Sequence, residues 1–274
     1  SALLAAHSGI HHGFGTAILP APQAAYADAE DAERFKNESL LSAKKRATDG
    51  VPNVVSEVVT LKQIHTTNVL QIRRGDAYVP PAECIRGDAI ISDCPGVLVA
   101  VKTADCLPIL VAAPKKGIVA AVHAGWRGSE AQILGRVLRR LIKHFGVAPQ
   151  ELSLAFGPSA RACCYEVNTE LALRFAAQFG AEVVHRVGGK AHLDLVAVNR
   201  LQALKAGLAP EQLDDLCACT LCSQAPEFYS FRRQGQAAGR LLNFIGIAAQ
   251  DEGLRLRVAG LKHGAERHLT PTED

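Results

Sequence analysis

Apolar residues in this chain come first in short runs broken by turn residues, then in longer stretches with helical spacing. The middle third reads as strands. Ala89-Ile90-Ile91-Ser92, the run 97–103 after Pro95-Gly96, the run 108–112, and 118–123 after the hairpin signal Lys115-Lys116-Gly117 are rich in small and branched residues. The segment 54–72 carries further β-branched positions. Beyond it, Ile133, Val137, Leu138, Leu141 and Ile142 recur every three or four residues. That spacing predicts a helix over 130–145, capped by Ser129 and stopped by Gly146. A strand is expected at 152–156 and a turn at Gly157-Pro158. Helices are expected over 169–179, closed by Gly180, and over 194–206, closed by Gly207. A short strand is expected at 228–231 and a last apolar element at 240–249. A further helix is predicted near 29–45, and 264–274 reads as a frayed tail.

Strands and helices mix without the regular alternation of a doubly wound parallel sheet, so the pattern favours an α+β fold with mixed sheets. No linker, repeat or composition shift divides the chain, and 1–274 is read as a single domain. Apolar residues make up 48% and charged residues 21%, which suits a globular core. The net charge of +3 and the shortness of Lys44-Lys45-Arg46 and Arg139-Arg140 argue against a nucleic-acid partner. No stretch approaches the ~20 apolar residues of a membrane span, and no signal-peptide pattern opens the sequence. The eight cysteines form no small secreted framework. They are expected to be reduced and the protein cytoplasmic. The chain contains no Met.

Chemistry enters at three places. Gln63-Ile64-His65, Thr103-Ala104-Asp105-Cys106-Leu107-Pro108 and His123-Ala124-Gly125-Trp126-Arg127-Gly128 each put a metal-ligating side chain beside small residues or Pro. A thiolate and two imidazoles can hold zinc and leave the fourth position open. Cys106 and His123 also have the character of a nucleophile and its base. The same residues fit a small buried thiol and two histidines satisfied within a core. A multicopper centre is not expected, because it needs several His-x-His pairs and the chain has none.

Other groups compete for attention. Cys217, Cys219 and Cys222 could begin a second metal site, but the remaining thiols nearest in kind are the adjacent pair Cys163-Cys164, and neighbouring cysteines rarely chelate one ion. Buried structural thiols are the plainer reading. Gly125, Gly128 and the helix start after them resemble an anion cradle to which Arg127 adds a bidentate donor; a surface arginine packed on Trp126 is the alternative. Arg232-Arg233 is a second cationic pair, of which a strand would turn only one inward. Asp88, Asp105, Glu166 and Asp194 stand where they could orient a histidine, relay protons, or simply cap turns.

Taken in order, these motifs resemble the laccase-domain family, once called multicopper polyphenol oxidase-like. The stretches that carry the resemblance run from Gln63-Ile64-His65 through Gly87-Asp88-Ala89, Ala104-Asp105-Cys106 and His123-Ala124-Gly125-Trp126-Arg127-Gly128. They continue with Cys163-Cys164-Tyr165-Glu166, Leu193-Asp194-Leu195, Cys219-Thr220 and Tyr229-Ser230-Phe231-Arg232-Arg233. The N-terminal segment departs from the family: Gly13-Phe14-Gly15-Thr16 lacks its Arg and Gly-Gly.

The resemblance implies a β-sandwich of mixed sheets flanked by helices, in α/β/β/α layers like the catalytic domain of cytotoxic necrotising factor. It implies Zn²⁺ on His65, Cys106 and His123, the trio that the chemistry selected. It also implies phosphorolysis of adenosine, inosine, guanosine and methylthioadenosine, together with adenosine deamination. Cys106, His123, Asp105 and Arg127 are then the expected catalytic set, and Arg127, Arg232, Arg233, Gln63 and Asp88 the expected substrate and phosphate contacts. Small molecules are the expected partners, of a monomer or weak homo-oligomer. The alternative enzyme class is a cysteine hydrolase or amidase built on Cys106 and His123, editing peptidoglycan precursors or acting as a deamidase. A metal-stabilised binding protein is a third, non-enzymatic reading.

Overall fold

The computed structural model describes residues 1–15, 58–74, 85–223 and 228–248. Among the described residues there are twelve strands: β1 (Ile10–Gly13), β2 (Val58–Val59), β3 (Val69–Ile72), β4 (Ala89–Ser92), β5 (Leu98–Thr103), β6 (Leu107–Ala113), β7 (Ile118–Ala124), β8 (Ser153–Phe156), β9 (Val184–Val187), β10 (Lys190–Leu193), β11 (Leu213–Asp215) and β12 (Leu241–Ile247). The expected helix at 29–45 and the tail at 264–274 lie outside the described residues.

Six strands form one sheet in the order β11-β8-β6-β7-β4-β3, four form a second in the order β1-β12-β5-β2, and β9-β10 is a separate hairpin. Both large sheets are mixed. β3 runs parallel to β4 and β11 parallel to β8, while β4, β6, β7 and β8 pair antiparallel. β2 is parallel to β5, whereas β12 is antiparallel to both β5 and β1. The fold is therefore a mixed α+β architecture.

The central strands are buried on both faces, and their alternation shows what covers each. Leu107, Ile109 and Val111 of β6 and Ala120 and Val122 of β7 join Val137, Leu138, Leu141, Phe175 and Val198 in one apolar cluster. These contacts place the helices Ile133–Phe145, Thr169–Phe179 and Leu195–Lys205 on that face. The alternate residues Leu110, Ala112, Val119 and Ala121 meet Val99, Val101 and Ile245 of the four-stranded sheet in a second cluster. The two sheets thus pack face to face, with helices outside the larger one.

The helix after His123 differs from the expectation. A short helix, Trp126–Glu130, starts at once after Gly125, and a second, Ile133–Phe145, follows. The break falls at Gln132, whose φ of 59° is left-handed. Ser129 is therefore no cap: its hydroxyl accepts from the buried Asn199 amide at 2.9 Å. The segment 228–231 is no strand either. Ser230 caps a helical turn, Phe231–Gln234, by accepting from Arg233 N–H, a local bond that competes with extended backbone. The hairpin β9-β10 was not expected; it turns at Gly188-Gly189, both at positive φ. Among the described residues no helix is long and apolar enough to cross a membrane.

Leu110 is fully buried between the sheets. Leu110→Ala is expected to lower unfolding stability by about 2–5 kcal/mol through lost burial and a residual cavity. Denaturant titration checks this, and a loss under ~1 kcal/mol would mean the sheets do not pack as described.

Candidate metal centre and its cavity

One end of the sandwich gathers the three chemistry-bearing segments. Cys106 lies in the turn between β5 and β6, His123 near the end of β7, and His65 in the segment between β2 and β3. The antiparallel register sets Pro108 opposite His123, which brings the start of β6 and the end of β7 level. His65, Cys106 and His123 converge, each offering one ligand atom within 4.8 Å of the others. Cys106 Sγ stands 3.9 Å from His65 Nε2, and the two imidazole rings meet edge to face at 4.9 Å. A tetrahedral zinc with ordinary Zn–S and Zn–N bonds separates S from N by about 3.6 Å, so the trio fits such an ion.

Gly125 makes the convergence possible. A Cβ there would lie 2.9 Å from Cys106 Sγ and 3.1 Å from His65 Cδ2, too close for either. His65 and Asp105 both hold positive φ, 59° and 90°, which non-glycine residues adopt only when their surroundings over-determine it. Asp88 supplies that constraint at His65. Its fully buried carboxylate accepts from the backbone N–H groups of Ile64, His65 and Thr66 at 3.3, 3.0 and 2.6 Å, and from Thr66 Oγ1 at 3.0 Å. The same carboxylate stands 2.8 Å from His123 Nδ1. With Nδ1–H donating to Asp88, His123 turns Nε2 toward the trio as a ligand must.

Asp105 has a matching role on the far side. Its carboxylate accepts from Thr220 Oγ1 at 2.7 Å and from Arg232 N–H at 2.8 Å, and its carbonyl accepts from Ala160 N–H at 2.8 Å. Three distant segments are thereby tied to the residue preceding Cys106.

The electrostatics follow from this packing. Burial pushes the Cys106 thiol up, but the His123 charge and hydrogen bonds from both histidines outweigh it and bring the thiol down to about 6. Burial lowers His123, yet the Cys106 thiolate and the Asp88 carboxylate raise it to about 9. Asp88 is likewise raised by burial but lies below the usual carboxylate range, because His123 and the Thr66 N–H stabilise its charge. Without metal the pair is a thiolate beside an imidazolium.

The trio opens into a cavity of about 580 Å³. Lys62, Lys102, Arg127, Arg232 and Arg240 line it, and Asp105 is the carboxylate among its described lining residues. Lys62 and Lys102 were not singled out from sequence, and Tyr165, Phe231 and Arg240 were given no role there. The signal for Lys102 was a charge in the otherwise buried strand β5.

Two expected substrate contacts need correction. Asp88 is fully buried, its oxygens pair with His123 and the 64–66 turn, and it is not among the residues that line the cavity. Arg233 donates to the carbonyls of Phe228, Leu221 and Ser223 and does not line the cavity. Gln63 does line it, but its amide pairs in both directions with the Lys102 backbone at 2.7 Å and serves to position that strand. Arg127 lies over the Trp126 ring at 4.2 Å with its side chain exposed to the cavity. Arg232 lies over Tyr165 at 4.7 Å and donates to Glu166 O. Of the other carboxylates, Asp194 caps the helix Leu195–Lys205 and Glu166 pairs with Lys190 at the surface. The divergent N-terminal segment packs Phe14 against Gly157.

Comparison with known proteins gives the family. Residues 29–248 match the family described as multi-copper polyphenol oxidoreductase laccase, and the chain belongs to it. It is 36% identical over 231 residues, 80% of this chain and 82% of the relative, to a purine nucleoside phosphorylase of Bacteroides thetaiotaomicron. It is 32% identical, over 80% of this chain and 83% of the relative, to adenosine deaminase RL5 from an unknown prokaryotic organism. The crystal structure of YlmD from Geobacillus stearothermophilus superposes with a TM-score of 0.68 and 26% identity, covering 89% of this chain and 93% of that one.

Two predictions follow from the site. Asp88→Asn keeps the shape but removes the charge that holds His123, and is expected to weaken metal affinity about 10–100-fold; chelator competition measures it, and unchanged affinity would disprove the role given to Asp88. In metal-free protein, alkylation of Cys106 should rise with pH through a midpoint near 6 and level off above it, since the thiolate is the reacting form. A midpoint near the ordinary thiol value of 9.0 would show that His123 and His65 do not stabilise the thiolate.

Proposed function

We infer that this protein is a zinc-dependent enzyme of purine nucleosides, cleaving adenosine, inosine, guanosine and methylthioadenosine with phosphate and also deaminating adenosine. The observation that carries this reading is one cavity joining a three-ligand group able to hold a metal to a cationic wall and one exposed aromatic ring, Phe231. The names of the two relatives support it. A donor set of one sulfur and two imidazoles suits zinc, and the oriented His123 tautomer and the space kept by Gly125 fit a bound ion. Zinc held there supplies Lewis-acid polarisation of an oxygen brought to its open position.

The chain's own groups account for binding and charge. In phosphorolysis a phosphate oxygen bonds to C1′ as the bond from C1′ to the purine nitrogen breaks, and that nitrogen keeps the electron pair and takes up a proton. In this reading Arg127 and Arg232, which line the cavity, hold the phosphate, with Lys62 and Lys102 adding positive potential. Phe231, 45% exposed at the cavity, offers a face for the base. In deamination the oxygen of a water bonds to C6, a base takes its proton and returns it to the 6-amino nitrogen, and the C6–N bond breaks as ammonia leaves with the electron pair. Asp105 serves as that base in this reading, using the lone pairs not taken by Thr220 and Arg232 N–H.

One observation favours a second reading. The Cys106 thiol held near 6 beside His123 also describes the nucleophile and base of a cysteine hydrolase. A thiolate that holds metal is no free nucleophile, so metal content separates the two.

The test incubates purified protein with adenosine and phosphate and follows adenine, inosine and ribose 1-phosphate. Products that vanish with chelation and in Cys106→Ala are expected; activity surviving both would overturn the proposal. Arg127→Ala and Arg232→Ala should each lower kcat/KM for phosphate roughly 10–100-fold, the loss of a hydrogen bond to a charged group worth about 1.5–3 kcal/mol. Unchanged phosphate kinetics in both variants would remove these arginines from the site.

A further inference from the structure

A second cluster of soft ligands lies beyond Asp105, apart from the trio. Cys163, Cys164, Cys219 and Cys222 come from two turns far apart in sequence, yet their four sulfurs lie within 4.8 Å of one another. Cys163 Sγ and Cys222 Sγ are 3.6 Å apart. Four thiolates around a tetrahedral zinc stand about 3.8 Å from each other at ordinary Zn–S bond lengths, so the spacing matches a single ion. A cluster of several irons would hold its cysteine sulfurs wider apart.

The local backbone suits a metal knuckle. Cys219-Thr220-Leu221-Cys222 is a C-x-x-C turn, closed by Ser223 N–H donating to Cys219 O at 3.2 Å. Both turns are held from outside. Arg161 makes a bidentate pair with Asp215 at 2.8 and 2.7 Å, and Thr220 N–H donates to Ser159 O at 2.9 Å. Arg233, which leaves the substrate cavity, spends its guanidinium on the carbonyls of Leu221, Ser223 and Phe228 around this turn. Cys163, Cys219 and Cys222 border a hollow of about 480 Å³ that opens outward, giving an ion a path in.

We propose that these four cysteines form a structural tetrathiolate site for one divalent ion of the zinc class, stapling the turn 161–166 to the turn 218–223. On binding, each thiol gives its proton to solvent, and four sulfur–metal bonds replace the sulfur contacts. The staple matters to the cavity next door. The first turn carries Tyr165 and Glu166, whose ring and carbonyl hold the Arg232 side chain. The second carries Thr220, which holds Asp105. Cys217, the remaining thiol of the 217–222 segment, is outside the set.

The site is tested on reduced full-length protein loaded with Zn²⁺ and freed of excess ion. Metal analysis of His65→Ala/Cys106→Ala, which dismantles the other centre, is expected to retain one equivalent, and Cys219→Ser/Cys222→Ser in the same background to retain none. Because the quadruple variant may fail to fold, the protein without substitutions is also alkylated with and without chelator and mapped by mass spectrometry. Cys163, Cys164, Cys219 and Cys222 should become reactive together only after chelation. Zinc lost entirely with the trio, prompt alkylation of the four without chelator, or a Cys163–Cys222 disulfide in place of bound metal would each overturn the proposal. Since the His65→Ala/Cys106→Ala variant is scored on metal and not on turnover, its result stands whatever nucleoside chemistry the first centre performs.

Discussion

A single enclosed carboxylate sets the geometry on which the rest of this site depends. Asp88 stands at the foot of β4, opposite the end of β7, and gathers His123 Nδ1 together with the three successive N–H groups of residues 64–66. A buried charge is tolerated only when its lone pairs are filled, and here the filling groups are the two histidine segments themselves. One ligand is oriented through its ring and the other through its backbone, in a left-handed conformation that nothing local would favour. The penalty for burying Asp88 thus becomes the force that assembles the trio.

Around that node the molecule repeats one device, in which polar groups of distant segments are tied to a residue next to a ligand. Asp105, adjacent to Cys106, is held by Thr220 and the Arg232 backbone, and Gln63, two residues from His65, is held by Lys102. The cavity wall is consequently assembled from loops whose own conformations depend on one another. A staple of four thiolates beyond Asp105 belongs to the same logic, since two short turns with little apolar burial gain order from a few strong bonds. The cavity lining carries several cationic side chains, with Asp105 the carboxylate among its described residues.

Much of the fold was legible. β4 to β7 and the helices ending at Gly146 and Gly180 follow from apolar runs, helical spacing and glycine stops, which are local properties. The misreadings were local too in origin: Ser129 and Ser230 are both good caps, but the first was claimed by Asn199 across the core and the second capped a turn where a strand was expected. The trio itself could be chosen by residue type, because few side chains ligate soft metals. The pairing of Cys163-Cys164 with Cys219 and Cys222 could not, since adjacent cysteines argue against chelation until a second turn is laid over them.

What the sequence by itself determined is therefore the inventory: which segments are strands or helices, which side chains can bind a metal or an anion, and, through ordered motifs, the family. Only the tertiary structure decided the roles. Asp88 and Arg233 were read as substrate contacts and became supports, while Lys62, Lys102 and Phe231 came to line the cavity. The reason is physical. Ligating chemistry and periodicity belong to single residues and short windows, whereas burial, hydrogen-bond partnership and the sign of a local field arise only when strands distant in sequence are brought into register.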